Sequence, residues 1–480
     1  ALESAVSGNE AGIQADASAK KDYQKRIVEV MNLQGRRAEA VALANKVVEE
    51  NKDDAEAQAI RASLRMRGGS KADVETSIKE FQSIITRMPD NPVVRFNLGE
   101  ALMSKGELDQ ARVQFDEAIK LRSSYLPPRL ALSRIHLLKG EFPKAKQMSE
   151  EILQQAPRSI PGHLIRASAL MGQRDLAGAR GEINAIFQIS PDNNDAYYLR
   201  AMIDYSERKL GDAEEAFRKL YNSKPMDARG LLGLVEIAMA QNRPAEARAL
   251  LEKELANTKD PRVVRLALAN VHVRSGDYPR AIQEYQVLLD KSPDSEDLNL
   301  RMGETHLRAR KLPEAMKYFE KASSLNPQNT LPLLKIAVIH ELSNEKSKTK
   351  PIYEKILRIS PDNPVALNNL AYMMAESGVD LDQALTYAQR AKQKLPNNPD
   401  VADTLGWVYI KKNLSDDAIK IFRDLLQMKP DHVTWRYHLA IALFQKGDKL
   451  QAKKELEAAL KYNPRQDEMS KIKELMNRIG

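Results

Sequence analysis

Cysteine is absent from the 480 residues. That excludes disulfides, thiolate metal sites, haem attachment through C-x-x-C-H and cysteine nucleophiles, while leaving the compartment open. No apolar run approaches the roughly 20 residues needed to span a bilayer. The first residues lack the charged start and apolar stretch of a signal peptide. The chain opens on Ala1 rather than Met, which admits a processed form and a secreted or periplasmic origin. Catalytic signatures are missing too: there is no G-x-G-x-x-G, P-loop, G-x-S-x-G or H-E-x-x-H. His340-Glu341 begins the last of these, but Asn344 stands where the second histidine belongs. The expectation is a protein that is not an enzyme and holds no cofactor or metal. A one-sided basic stripe is also lacking, because 74 basic residues are mixed with 66 acidic ones for a net +8. Residues 411–480 carry the densest excess, 15 basic against 10 acidic. Specific nucleic-acid binding is not expected from such a pattern.

What the chain does have is a beat of 34 residues. Proline recurs at Pro89, Pro157, Pro191, Pro225, Pro293, Pro327 and Pro361, then after one inserted residue at Pro396, Pro430 and Pro464. Ser123 and Lys259 occupy two rungs of the same ladder. Proline cannot donate an intrahelical hydrogen bond and clashes with the preceding turn, so each rung stops a helix. A fixed interval between stops marks one supersecondary unit stacked many times.

With the proline as position 32, units start near 21, 55, 92, 126, 160, 194, 228, 262, 296, 330, 364, 399 and 433. The second carries extra residues around Arg67-Gly68-Gly69-Ser70 and the eleventh one extra in Ser377-Gly378-Val379-Asp380. Position 8 is small (Gly99, Ala167, Ala269, Gly303, Gly406), as is position 20 (Ala111, Ala179, Ala281, Ala315, Ala418). Small residues at two facing positions let antiparallel helices approach closely. A large apolar or aromatic residue follows at position 24, as in Phe115, Phe217, Tyr285, Phe319 and Phe422. The joins Pro-Asp-Asn-Pro (89–92, 361–364) and Pro-Asn-Asn-Pro (396–399) stop one helix, offer Asn as N-cap and put Pro in the next first turn.

This constellation resembles the tetratricopeptide repeat (TPR) family over about residues 21–464. The resemblance implies an all-α, right-handed solenoid of helix pairs, about thirteen in all, whose first helices line a concave groove. Residues 1–20, rich in Ala, Ser, Gly and Glu, read as a weakly ordered lead-in, and 21–466 as the solenoid. Residues 467–480 read as a capping helix with Met469, Ile472, Leu475, Met476 and Ile479 on one face.

Four histidines fall at position 11: His136, His272, His306 and His340. Equivalent atoms in stacked units lie roughly 10 Å apart, too far to share one ion, and no acidic partner is expected at the same level. Core packing is the reading. Position 5 is Leu in many units (Leu130, Leu164, Leu232, Leu266, Leu300, Leu334), expected as partly buried packing. TPR domains that grip acidic tails use Lys at position 5 and Asn at position 9. Position 5 is never Lys from Pro92 onward and only Asn270 fits position 9, so that ligand class is not expected.

The last three units differ. Their groove positions supply Asn368, Asn369 and Tyr372, then Asp403, Thr404 and Trp407, then Tyr437 and His438. Asn amides pair with a peptide backbone in both directions, and aromatic rings with polar tips suit binding hot spots. These eight residues are the candidate peptide-binding groove, with packing of Tyr372 and Trp407 between helices as the alternative. The function expected is a scaffold holding an unidentified protein or peptide partner. A self-assembling solenoid forming oligomers or filaments is the other reading. The Asn-Asn-Leu-Ala-Tyr and Asp-Thr-Leu-Gly-Trp segments resemble TPR proteins of bacterial cell envelopes, which tilts the setting toward envelope or exterior over cytoplasm.

Overall fold

The computed structural model describes residues 20–67, 69–224 and 227–480. Residues 1–19 of the lead-in, Gly68 of the first insertion and the rung at Pro225 lie outside the described residues. Among those described there are twenty-seven α-helices, one short 3-10 turn at Lys346–Lys348 and no strand. The protein is an all-α solenoid of helical repeats, and it falls into two compact units, the first ending at Arg243 and the second starting at Pro244.

The first unit holds α1 Lys20–Leu33, α2 Arg37–Glu50, α3 Ala55–Met66, α4 Lys71–Arg87, α5 Pro92–Lys105, α6 Leu108–Leu121 and α7 Leu126–Leu138. It continues with α8 Phe142–Gln155, α9 Ile160–Gly172, α10 Leu176–Ile189, α11 Asn194–Ser206, α12 Leu210–Ser223 and α13 Ala228–Ala240. The second begins with α14 Pro244–Asn257, α15 Arg262–Arg274, α16 Tyr278–Lys291, α17 Glu296–Arg308, α18 Leu312–Leu325, α19 Leu331–Leu342 and α20 Thr349–Ile359. It ends with α21 Pro364–Ser377, α22 Leu381–Lys394, α23 Pro399–Lys411, α24 Ser415–Met428, α25 Val433–Lys446, α26 Lys449–Lys461 and α27 Gln466–Ile479.

The joins cap as their chemistry dictates. Asn91 Oδ1 accepts from the backbone N–H of Val93 at 3.0 Å and Val94 at 3.2 Å, with Pro92 opening the helix. Asn398 likewise accepts from Asp400 and Val401 N–H at the start of α23, and Asn363 from Ala366 N–H at the start of α21. Among the described residues, twelve hairpins reverse through a left-handed residue at position 15, and the α21–α22 turn adds a second at Asp380. Six turns put Gly there, including Gly140 and Gly276, three put Asn, and Arg174, Arg208 and Arg310 complete the set. The turn at Gly140 closes with Gly140 N–H to Leu137 O at 3.1 Å and Glu141 N–H to His136 O at 2.8 Å. A Cβ in this region costs energy that glycine avoids. Arg174→Gly, Arg208→Gly and Arg310→Gly are each expected to stabilise their hairpin by about 1 kcal/mol, read as a shift in the denaturation midpoint.

The core is built from the small-to-large pairing. The alanines at position 20 are fully buried, at 0% exposure from Ala111 through Ala452. Where position 24 is Phe, the facing position is often stripped to Gly. A Cβ on Gly406 would come within 2.6 Å of the Phe422 ring, and one on Gly303 within 2.8 Å of Phe319. Where the ring is Tyr the facing residue is Ala, and the hydroxyl reaches the first helix: Tyr285 to Asn270 Oδ1 at 2.7 Å, Tyr353 to Glu341 Oε1 at 2.8 Å. The hairpin α19–α20 departs most. Pro351 must sit in a first turn, so the α-helix starts only at Thr349, whose hydroxyl donates to Lys346 O at 2.8 Å, and residues 346–348 wind as a 3-10 turn instead.

First helices of successive hairpins also approach one another, as α21 does α23 and α23 does α25. Their inward faces therefore form a shared wall within the unit. The helix α27 buries Ile472, Leu475 and Ile479 and turns Lys471, Lys473 and Arg478 outward, closing the last hairpin.

Candidate functional site

The wall formed by α21, α23 and α25 gathers most of the predicted groove. The His438 imidazole stacks on the Trp407 indole, with centroids 4.6 Å apart and planes 29° from parallel. Its Nδ1 lies 2.8 Å from Asp403 Oδ1, and Phe422 meets it edge-on at 5.3 Å from below. Tyr437 lies 6.0 Å away on the same helix. Trp407 Nε1–H donates to Glu376 Oε1 at 2.7 Å, which ties α23 to α21. The Lys411 ammonium sits 4.7 Å over the indole and 3.7 Å from Glu376. Tyr372 is 46% exposed, four residues before Glu376 on the same helix face. Partial burial and then the charges of Glu376 and Asp403 hold its phenol above the usual range. Burial, with Glu474 adding, does the same at Tyr437.

Three predicted members play other parts. Thr404 is 6% exposed and packs inside the stack, because position 6 of α23 turns toward the neighbouring helices. It offers no surface to a ligand. Asn369 gives its amide N–H to Val365 O at 2.9 Å within its own helix. Asn368 keeps its Oδ1 covered, with no hydrogen-bond partner among the described residues. The asparagine pair is thus not an open ladder for a peptide backbone. Glu376 and Lys411 were not singled out from sequence. Both stand at position 13, four residues after Tyr372 and Trp407, and that spacing was the available signal.

Of the position-11 histidines, His136, His272 and His306 are buried, His272 most, and His340 is half-buried. The expectation that they lack acidic partners is corrected: His136 Nδ1 lies 2.6 Å from Glu141 Oε2, His340 Nδ1 2.7 Å from Glu345 Oε2, and His272 Nδ1 3.5 Å from Asp277. Each acid is five residues on, beyond the reversing turn, where helical spacing gives no hint of it. His306 instead stacks on Tyr318 at 5.4 Å. Among the described residues no group of three His, Asp or Glu could hold a metal ion. Burial pushes the His272 and His306 imidazoles below their usual range, against the opposing pull of nearby acids. A lowered folded-state value means the unfolded chain binds more protons, so stability falls as pH drops below about 6.5. The urea midpoint of the second unit is expected to fall between pH 7.5 and 5.5, and less so in a His272→Gln/His306→Gln chain.

Asn270, which alone matched the acidic-tail pattern, is occupied by the Tyr285 hydroxyl. The position-5 leucines are half-buried, Leu232 the most open at 37%.

These features define an array of helical hairpins whose first helices share a partly open inward wall. Profiles of the tetratricopeptide repeat match residues 93–125, 204–271, 266–330 and 409–476. The chain is a tetratricopeptide repeat protein. Among curated proteins no relative matches it. Similar solved structures include the APC/C hetero-tetramer Cut9-Hcn1, 13% identical, covering 96% of this chain and 97% of that one at a TM-score of 0.39. A tetratricopeptide repeat protein from Parabacteroides merdae is 17% identical and covers 52% of this chain and 98% of its own at a TM-score of 0.40. Among the described residues no helix is long and apolar enough to cross a membrane.

Proposed function

We propose that this protein interaction scaffold binds an extended peptide or partner helix along the inward wall of α21, α23 and α25, and performs no catalysis of its own. The reading is carried by Tyr372 and Trp407: two large aromatic faces, one nearly half open, set on adjacent first helices beside polar groups. Aromatic residues fixed this way add contact area at low entropic cost, which is how hot spots work. Behind the wall each first helix packs on a buried pair from its partner helix, Ala384 with Ala388, Ala418 with Phe422 and Ala452 with Leu456, which holds the helices in place. A bacterial cell-envelope assembly is the setting proposed, on the likeness of the 368–372 and 403–407 segments to proteins of that kind. The self-assembly alternative gains no specific support, since the outward face of α27 is charged.

Extended peptides enriched by display on the purified full chain test this. Trp407→Ala and Tyr372→Ala are each expected to weaken the best binder about 30-fold, matching a hot spot of ~2 kcal/mol. Both variants should keep the parent helical circular dichroism, Tyr372→Ala with an unchanged denaturation midpoint and Trp407→Ala with a lowered one, because the half-buried indole packs on the core and bonds Glu376. Unchanged affinity in both, or loss of fold, would remove the patch from consideration.

A further inference from the structure

We propose that the partner presents an arginine side chain to this wall, and that its guanidinium takes the seat over Trp407 that Lys411 holds in the free protein. The inference rests on the peptide reading above and adds the chemistry of what is bound. Trp407 offers an indole face with a carboxylate at its rim: Glu376 Oε1 accepts the indole N–H at 2.7 Å, which fixes the acid relative to the ring. A ring face flanked by an anchored carboxylate attracts a cation twice, through the quadrupole and through charge. The seat already shows that preference, with the Lys411 ammonium 4.7 Å over the ring.

Lys411 fills it poorly. Its nitrogen is 3.7 Å from Glu376, outside hydrogen-bond reach, and its side chain is one-third exposed. An ammonium on a flexible stem is a strongly hydrated point charge. A guanidinium could lie flat on the indole while donating in-plane N–H groups to the Glu376 carboxylate, which lysine geometry does not allow. The other face of the indole is taken by His438, itself held by Asp403, so a ligand has one side to approach from. Tyr372, on the turn before Glu376, extends the open aromatic surface beside that approach. The charges set beside the seat are Glu376 and Asp403 on one side of the balance and Lys411 on the other. Displacing Lys411 leaves the seat with its carboxylates and no fixed cation.

The test follows the indole N–H resonance of Trp407 in the full chain, assigned by Trp435→Phe, during titration with N-acetyl-L-argininamide and, separately, N-acetyl-L-glutaminamide. The arginine probe is expected to shift the resonance saturably and the neutral probe to leave it in place. Lys411→Met should tighten the arginine probe about 3-fold by removing the internal occupant, and Glu376→Gln should weaken it by a similar factor. Glu376 is exposed and Lys411 is one-third exposed with its charge at the surface, so these variants are expected to fold, checked by circular dichroism. Equal shifts from the two probes, no shift in either the parent or the Lys411→Met chain, or weaker arginine binding in Lys411→Met would each overturn the proposal. Failure here is separable from failure of the scaffold reading. A display-derived peptide with no basic residue that needs Trp407 sinks this inference and leaves the scaffold standing. Argininamide binding with no peptide enriched does the reverse.

Discussion

Phe422→Ala is expected to destabilise the last hairpins of the second unit by about 3–5 kcal/mol, the cost of emptying a fully buried aromatic site. The ring fills the space that Gly406 leaves by lacking a Cβ, so no neighbouring side chain on α23 can collapse into the void. It also supports His438 from below, at 5.3 Å, and thereby the imidazole that backs Trp407. Two readouts should therefore move together. Amide exchange across α23–α26 should quicken by two orders of magnitude or more, and binding at the wall should weaken although Phe422 touches no ligand. Because a repeat array opens locally, the first unit should keep its protection. An effect under 1 kcal/mol, or one spread evenly over both units, would contradict the packing described.

Arg180→Ala is expected to cost the first unit about 3 kcal/mol for a different reason. Asp204 occupies position 11 of α11, where other hairpins place histidine, and its side chain is only 2% exposed. Arg180 of α10 reaches it at 2.6 Å and simultaneously holds Glu207 at 2.7 Å. Both carboxylates, Asp204 most, keep the guanidinium pKa above its ordinary value, against partial desolvation. Removing the cation strands a buried carboxylate whose second oxygen already lacks a hydrogen-bond partner, with Arg200 at 3.8 Å too distant to replace it. Breaking a buried pair from one side is far costlier than exchanging it for apolar residues. The Arg180→Met/Asp204→Leu double variant should accordingly recover most of the loss, as measured by a double-mutant cycle on amide exchange in α10–α12. A double variant as unstable as Arg180→Ala would show that the ion pair is not the cause.

The fold could be read from the sequence because its signals are local and repeated. Asn91, Asn363 and Asn398 cap where a short polar side chain precedes proline, and position-20 alanines are buried wherever the 34-residue frame puts them. Contacts that cross a turn or a repeat boundary were harder to see. The His136–Glu141 and His340–Glu345 pairs join residues on opposite sides of a chain reversal, so no helical periodicity connects them. Pairing of Trp407 with Glu376 spans 31 residues and depends on how two first helices lean together. Thr404 stands at position 6, which borders the wall, yet in α23 that position is buried among the neighbouring helices. Tyr372, Asp403, Trp407, Tyr437 and His438 do meet on one wall, since equal positions in stacked repeats align.

Among the described residues, reversals are also sealed by bonds that stay inside their own hairpin, as Gly140 to Leu137 and Glu141 to His136 do, or Arg174 to Met171 and Asp175 to Leu170. A segment that carries its own closure is a finished building block. Tandem copying in the gene that added or dropped one such block would leave every other reversal intact, so evolution can lengthen or shorten the array without redesigning it.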